Sequence, residues 1–248
     1  MTLEKNKISS LISSDIRIFC YEEIDSTNNE AKRKARELLY SPALFVTERQ
    51  TSGRGRKDHA FYSPKTGLYL TVLLPIQDEI EQIQKITCAA GVAVCGVIES
   101  LTGQHPMIKW VNDILIDGKK VCGILTELIT DEENLPRAVA VGIGLNLCTE
   151  DFPEEFRDRA GNIGEVNKNQ LCGEIVRSLL FEYDHLRENH FLKKYTERSL
   201  ALGKIITYER VGAIHTAKGV SISNNGGLVV EEDGILTTLS SGEISIKL

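Results

Sequence analysis

From Ile24 to Tyr40 the chain reads IDSTNNEAKRKARELLY, with Ala31, Ala35, Leu38 and Leu39 at helical spacing behind Asp25, Ser26 and Thr27, whose oxygens can cap a helix N-terminus. This pattern predicts a turn feeding a helix. ALFVTERQ and LYLTVLL read as strands, separated by the glycine-rich, basic loop TSGRGRKDHAFYSPKTG. From Glu79 to Ser100 the apolar residues Ile80, Ile83, Ile86, Ala90, Val94, Val97 and Ile98 follow a period near 3.6 and predict a helix with one buried face. MIKWVNDILIDGKKVCGILTEL reads as two strand-like runs joined by Asp117-Gly118, and AVAVGIGLNL as a third run extending the same sheet. A single helix with Ile175, Leu179, Leu180, Tyr183 and Leu186 on its apolar side is expected to end near Ser199. Beyond Leu202 the texture changes to short strands punctuated by Asn-Gly, Asp-Gly and Ser-Gly. They predict a small β-barrel of under about 50 residues, too small to be comfortably stable without leaning on the domain before it.

A two-residue turn at Asp117-Gly118 would place Leu115 opposite Lys120, Asp113 opposite Cys122 and Lys109 opposite Thr126. Alternation then puts Lys109, Asp113 and Lys120 on one face, the makings of an anion or metal-phosphate site, with Asn112 pointing away. Asp113 alone reads equally well as the salt-bridge partner of a lysine. Arg49-Gln50-Thr51-Ser52-Gly53-Arg54-Gly55-Arg56-Lys57 adds four cations in nine residues to a chain whose net charge is −6. Its guanidinium forks suit carboxylate or phosphate, although taken alone it reads equally as a solvated loop.

Composition narrows the classes. The chain has 248 residues, 42% hydrophobic, 26% charged and 6% aromatic, an ordinary globular balance that excludes a repeat array or a disordered polymer. The N-terminus lacks the order of a secretory signal and no apolar run reaches membrane-spanning length, so a cytoplasmic protein is expected. Six cysteines without a CxxC pair read as free thiols. His185 and His190, five apart, would lie about 140° apart on a helix, which argues against a protein-built metal site. Trp110 reads as core. Gly142-Ile143-Gly144-Leu145-Asn146 hints at a nucleotide but lacks the third glycine and following helix of a dinucleotide fingerprint, and there is neither a GxxxxGK[ST] loop nor a GxSxG elbow.

Taken in order, Asp25-Ser26-Thr27-Asn28, Gln50 with Gly53-Arg54-Gly55-Arg56, Ser63-Pro64, Gly67-Leu68-Tyr69-Leu70, Lys109-Trp110-Val111-Asn112-Asp113, Lys120 with Gly123-Ile124-Leu125, and Gly142-Ile143-Gly144-Leu145-Asn146 resemble the biotin protein ligases. Gly242-Glu243-Ile244-Ser245 is similar to that family's C-terminal domain, so the resemblance runs from about Asp25 to the end. It implies an α+β fold: a class II synthetase-like catalytic domain over residues 1–199, a mixed sheet flanked by helices, then an SH3-like β-barrel over 200–248. It also implies an ATP-dependent ligase that converts biotin and MgATP to biotinyl-5′-AMP and transfers biotin to a lysine of a biotin carboxyl carrier domain.

By the same resemblance, Ser26, Thr27, Asn28 and Gln50 would contact the biotin head group, and Gly53, Arg54, Gly55 and Arg56 would close over biotin and the adenylate. Lys120 would stabilise charge near the biotin carboxylate and α-phosphate, with Arg56 and Asp113 as further catalytic candidates. Asn112, Asn146 and Arg56 would bind the nucleotide, and Asp113 is the one candidate to help hold magnesium. The chain departs from the family pattern at Lys57-Asp58-His59-Ala60-Phe61, where a second Gly-Arg and a tryptophan are usual, and at Val111, where proline is common and its loss should regularise the strand. Only 24 residues precede Asp25, against the roughly 60 that an independent DNA-binding domain needs, so the helix-turn-helix module of some relatives is expected to be absent and DNA is not an expected partner. No membrane partner is expected; a homodimer through an exposed sheet edge is left open. The competing readings are a lipoate or octanoate ligase and a biotin-binding sensor without turnover.

Overall fold

The computed structural model describes residues 2–12, 15–56, 59–76 and 82–246. Its main layer is a mixed sheet of seven strands: β1 (Arg17–Tyr21), β2 (Ala43–Thr47), β3 (Gly67–Pro75), β4 (Met107–Lys109), β5 (Asp113–Ile116), β6 (Lys119–Thr130) and β7 (Pro136–Asn146). Their order is β1-β2-β3-β7-β6-β5-β4, with β1 parallel to β2 and every other neighbour antiparallel. β2 is buried along its whole length and β3 along all but its last residue, because both faces of this sheet are covered.

The helices are α1 (Lys5–Ser9), α2 (Thr27–Ala35), α3 (Gln82–Thr102), α4 (Lys168–Asp184) and α5 (Phe191–Arg198). Alternation along the strands sorts the two faces. Val46, Val72, Val139, Val141 and Ile143 pack with α3 and α4, whereas Phe45, Leu73, Ala138 and Ala140 pack with Ala31 and Ala35 of α2 and with Leu38 beyond it. The α2 face carries small residues on β7, and that leaves room above the sheet for a cavity. A segment of α3, Gln84–Thr102, is long and apolar enough to cross a membrane by composition, but 67% of that window is buried inside the molecule, as a core helix requires.

Five further strands, β8 (Ile205–Arg210), β9 (Ala213–Ile222), β10 (Leu228–Glu232), β11 (Ile235–Leu239) and β12 (Ile244–Ile246), form an antiparallel sheet ordered β11-β10-β9-β8-β12. Asp233-Gly234 turns between β10 and β11 with both residues at positive φ, 50° and 79°, which glycine at the second position relieves. The inward residues Ile206, Ala217, Leu228, Val230 and Ile244 belong to the same core cluster as α3. The C-terminal sheet therefore leans on the first layer, as its size demands. A buried hydrogen bond from Trp110 Nε1 to the Gly226 carbonyl, 3.0 Å, fixes the contact.

Several expectations need correction. The helix expected to run to Ser199 is two helices, α4 and α5, joined by a turn that buries Leu186. That turn brings the His185 and His190 rings to 5.9 Å, closer than helical spacing allows, yet His185 Nδ1 faces the Phe181 carbonyl and His190 Nδ1 faces Glu182. No group of three metal-ligating side chains occurs among the described residues. β1 was not anticipated, and Leu39, expected on the buried helix face, is 82% exposed in the turn after α2. Residues 79–81 of the expected helix, with Ile80, lie outside the described residues. The run from Met107 is cut by a turn at residues 110–112, so Val111 in place of proline does not regularise a strand.

The six cysteines are free thiols, and only Cys148 is exposed. Burial pushes Cys88 and Cys95 up to about 12. It also raises Cys20, Cys122 and Cys172 above the ordinary thiol value. Brief treatment of the native protein with iodoacetamide near neutral pH is expected to alkylate Cys148 alone, and denaturant to expose all six, as read by intact mass. Labelling of Cys88 or Cys122 under native conditions would contradict this core.

Candidate active site

The site is built on the α2 side of the sheet. Ser26 caps α2 by accepting from the Asn29 amide, which turns Thr27 and Asn28 over the sheet, both nearly fully buried. Gln50 Oε1 accepts from the Thr27 amide at 2.9 Å, and Gln50 Nε2 donates to Ser63 Oγ at 3.1 Å. Asn28 Oδ1 accepts from Thr71 Oγ1 at 2.6 Å, while its Nδ2 donates to Glu127 Oε2 at 2.8 Å and to the Leu125 carbonyl at 3.2 Å. Thr27, Asn28, Gln50, Ser63, Thr71 and Glu127, six residues drawn from distant parts of the sequence, thus form one polar network against the strands, its halves joined by a hydrogen bond between Thr71 Oγ1 and Thr27 Oγ1.

Glu127 and Thr71 were not anticipated. Glu127 Oε1 receives Lys32 Nζ at 2.6 Å and lies 3.8 Å from Arg54 Nη1. Burial alone would push its carboxyl up, but Lys32, Asn28 and Arg54 together outweigh that and hold it below the usual glutamate value. A glutamate on an interior strand face is a signal, since an anion there requires partners.

The glycines on the floor explain the GxG that the sequence left ambiguous. A Cβ on Gly142 would lie 2.1 Å from Asn28 Oδ1, and one on Gly144 would lie 2.6 Å from Phe61 Cε1. Gly144 pairs across the ladder with Gly123, where a Cβ would meet Phe61 and Lys120 at 3.1 Å. Phe61 therefore lies over a paired glycine floor, with Lys120 Nζ 5.8 Å from its ring centre. These glycines clear space for Asn28 and Phe61.

Lys120 and Asp113 do share a face: Lys120 pairs with Leu115 as expected, but the register shifts beyond that pair. Asp113 pairs with Gly123 rather than Cys122, because Val121 is an extra, bulged residue between the Leu115–Lys120 and Ile114–Cys122 pairs. The bulge turns Lys120 towards the cavity while Cys122 and Ile124 stay in the core. Lys120 Nζ lies 2.7 Å from Asp113 Oδ1. Its backbone is held on both sides: Lys120 N donates to the Arg159 carbonyl at 2.7 Å, and the Lys120 carbonyl accepts from Gly161 N at 2.9 Å. Lys109, opposite Asp113, borders the same cavity.

The basic loop folds back on itself. Gly55 N donates to the His59 carbonyl and Phe61 N to the Gly53 carbonyl, with Arg54 bridging Ala60; Lys57 and Asp58 lie outside the described residues. Gly53 is packed so closely that a Cβ would sit 2.3 Å from Ser63 Oγ. Arg56 Nη1 donates to the Gly242 carbonyl at 2.8 Å and to Asn112 Oδ1 at 3.4 Å, joining the loop to the C-terminal sheet. Asn112 thus borders the cavity instead of pointing away, but its Nδ2 is engaged with the Ile124 carbonyl at 2.7 Å. The Asn146 amide likewise donates to the Gly161 and Lys120 carbonyls, at 3.0 and 3.4 Å. In this conformation both asparagines brace backbone. The cavity enclosed by these elements measures about 850 Å³ and is closed on one side by Thr207, Glu209, Ile214 and Ser245 of the C-terminal sheet, a wall the sequence did not reveal.

Asp25 supports the site from outside. Its two oxygens take Arg33 Nη2 and Nη1 at 2.7 and 3.0 Å. This fork, ahead of a smaller opposing effect of burial and helped by Asn29 and the Ser26 backbone, holds the carboxyl well below its ordinary value of 3.8. A depressed carboxyl contributes stability that is full above that value and is lost as pH falls. Asp25→Asn is therefore expected to lower Tm near pH 6, and the gap to the parent chain should narrow steadily as pH falls below about 4; the effect is modest because the pair is partly exposed. A gap that widened with acid would contradict the pairing.

A mixed sheet with a capped helix over a polar network, a basic glycine loop and a lysine–aspartate pair facing one cleft has the cations and hydrogen-bonding groups suited to a small acid beside other anionic groups. The chain belongs to the biotin/lipoate A/B protein ligase family, whose profile matches residues 20–146. It is 27% identical over 234 residues to the bifunctional ligase/repressor BirA of Bacillus spizizenii, covering 90% of this chain and 72% of that protein. It is 26% identical over 215 residues to the biotin–[acetyl-CoA-carboxylase] ligase of Mycobacterium tuberculosis, covering 81% of this chain and 77% of that one. Among solved structures, the biotin protein ligase of Aquifex aeolicus in complex with biotin and ATP superposes with a TM-score of 0.79 at 26% identity, over 93% of this chain and 98% of that one.

Proposed function

We propose that this protein is a biotin protein ligase. In the first step an oxygen of the biotin carboxylate attacks the α-phosphorus of ATP, the bond to the departing pyrophosphate breaks, and biotinyl-5′-AMP forms. In the second, the neutral ε-amine of an acceptor lysine on a carboxyl carrier domain attacks the acyl carbon, AMP leaves with the bonding pair, and the amine's proton passes to solvent. The observation that carries this reading is the convergence of the Gln50–Thr27–Asn28 network, the Arg54–Arg56 loop and the Lys120–Asp113 pair on one cavity.

The chemistry assigns each group a task. Bringing a carboxylate to a triphosphate requires cations against like-charge repulsion, and a preorganised lysine is effective because its position is fixed before the charge develops. Lys120 supplies that charge, and Arg54 and Arg56 shield the anhydride from water. The polar network offers both donors and acceptors, as a ureido ring needs. Magnesium enters with ATP as the substrate complex; Asp113 offers one hard oxygen at the cavity, consistent with an ion held mainly by phosphates. We place the boundary of the catalytic domain at residue 199, the C-terminal domain over 200–248, and the enzyme in the cytoplasm without a DNA partner, in keeping with its net charge of −6.

The test is pyrophosphate release from MgATP with biotin, lipoate and octanoate in parallel, followed by transfer to a purified carboxyl carrier domain read by mass. Turnover with biotin alone supports the reading. Turnover only with lipoate or octanoate would move the protein to the sister activity within its family, and biotin binding without pyrophosphate would make it a sensor.

A further inference from the structure

Resting on the ligase reading, we propose that Glu127 is a specificity-determining positioning residue: its carboxylate fixes the Asn28 amide so that the site meets its ligand with a hydrogen-bond acceptor, and so selects an acid whose ring carries N–H donors.

The carboxylate sets the orientation of the amide. The Glu127 side chain, in β6, is only 18% exposed, with Lys32 Nζ 2.6 Å from Oε1 and Asn28 Nδ2 2.8 Å from Oε2. Burial favours the neutral acid, but Lys32, Asn28 and Arg54 outweigh it, so the group is ionised near neutral pH. An ionised carboxylate can only accept a hydrogen bond, and so can the Leu125 carbonyl, 3.2 Å from the same Nδ2. Both amide hydrogens of Asn28 are therefore committed to the protein. A reversed amide would set Oδ1 against two acceptors at once, one of them charged.

Oxygen is what this amide has left for a ligand. Asn28 Oδ1 accepts from Thr71 Oγ1 at 2.6 Å, and an amide oxygen has a second lone pair. Asn28 borders the cavity, as does Gly142, the glycine that makes room for this oxygen, whereas Glu127 does not line the cavity and acts only through Asn28. A buried acceptor that meets a ligand without a donor loses its bond to water and gains none in return. The ureido ring of biotin has two N–H groups. The dithiolane of lipoate and the chain of octanoate have none, so an Asn28 held in this orientation discriminates against both.

The test measures, by calorimetry on the full chain without ATP, the affinity for biotin and for the two cyclic carbamates in which a ring oxygen replaces one or the other ureido N–H. The parent chain should bind at least one carbamate about tenfold or more weaker than biotin. In Glu127→Leu, which removes the acceptor that holds the Asn28 amide, this ratio is expected to fall by about fivefold or more. Glu127→Gln combined with Lys32→Met removes the charge pair but keeps an oxygen for Asn28 Nδ2, and should hold the parent's ratio within about twofold. A merely structural role would weaken biotin and carbamates alike; an unchanged ratio in Glu127→Leu would therefore overturn the proposal. So would loss of the ratio in the paired variant, or a parent chain that binds both carbamates as tightly as biotin, a result that needs no variant to fold. Biotin-dependent ATP–pyrophosphate exchange by the parent chain separates the two readings. Exchange together with any of these three results would remove the role of Glu127 alone, whereas a parent chain that neither bound biotin nor catalysed exchange would overturn the ligase reading and this one with it.

Discussion

Replacing Lys120 by alanine is expected to reduce biotin adenylation by about 100- to 1,000-fold while leaving the fold intact, on the scale of losing one preorganised charge-stabilising donor. The structure explains both halves of that result. The side chain is partly exposed and its ion pair with Asp113 is not buried, so its removal has little effect on stability. The backbone bonds to Arg159 and Gly161 that hold the bulge do not involve the side chain and persist in the variant. Circular dichroism and Tm close to the parent, biotin affinity changed by far less than the rate, and a collapsed rate of pyrophosphate release would together match a charge acting in the transition state. Lys120→Arg is not expected to restore it, because a planar fork cannot occupy the place of a compact ammonium beside Asp113 and the Phe61 ring. A Lys120→Ala rate within twofold of the parent would remove this lysine from the mechanism.

The second large effect belongs to a residue with no functional group. Gly142→Ala adds a methyl that would lie 2.1 Å from Asn28 Oδ1, so Asn28 must move, and its bonds to Thr71, Glu127 and the Leu125 carbonyl move with it. Overpacking of this kind costs about 1 to 3 kcal/mol, and each displaced hydrogen bond adds about 1 kcal/mol. Biotin affinity measured by calorimetry should fall by about 100-fold or more. Gly96→Ala is the matched control: it lies in α3 with nothing within 4 Å of the added Cβ, and alanine there should stabilise the helix by up to about 1 kcal/mol without touching biotin affinity. Parent-like biotin affinity in Gly142→Ala would mean that Asn28 and its network do not meet the ligand.

These two positions also mark what could be read before the fold was known. Lys120 was legible, since a cationic residue beside a two-residue hairpin signal, together with Asp113, pointed to a polar face. The expected Leu115–Lys120 pairing held, the pairings beyond it slipped by one residue, and the shared face was kept. A bulge shifts pairing by one residue, and nothing in the hydrophobic alternation of VCGIL announces it, because every side chain there is apolar or absent. Gly142 and Gly144 were seen and read against a dinucleotide fingerprint. Their purpose depends on which side chains, Asn28 and Phe61, arrive above them from distant segments.

The sequence by itself determined the elements whose cause is local: the Ser26 cap, the periodic face of α3, the tight turns at Asp117-Gly118 and Asp233-Gly234, and the run of motifs that marks the family. It also determined that the C-terminal strands, too few to bury a core alone, must lean on the layer before them. Only the tertiary structure decided that Glu127 sits beneath the Asn28 network, that Asn112 and Asn146 brace backbone, that one expected helix breaks into two, and that the C-terminal sheet closes one wall of the cavity through Arg56 and Gly242. The physical reason is range. Caps, turns and periodicity act over one to four neighbours and are written in adjacent residues, whereas ion pairs, shared cavities and packed glycines join segments tens to hundreds of residues apart, and their partners are fixed only once the sheet has set its order.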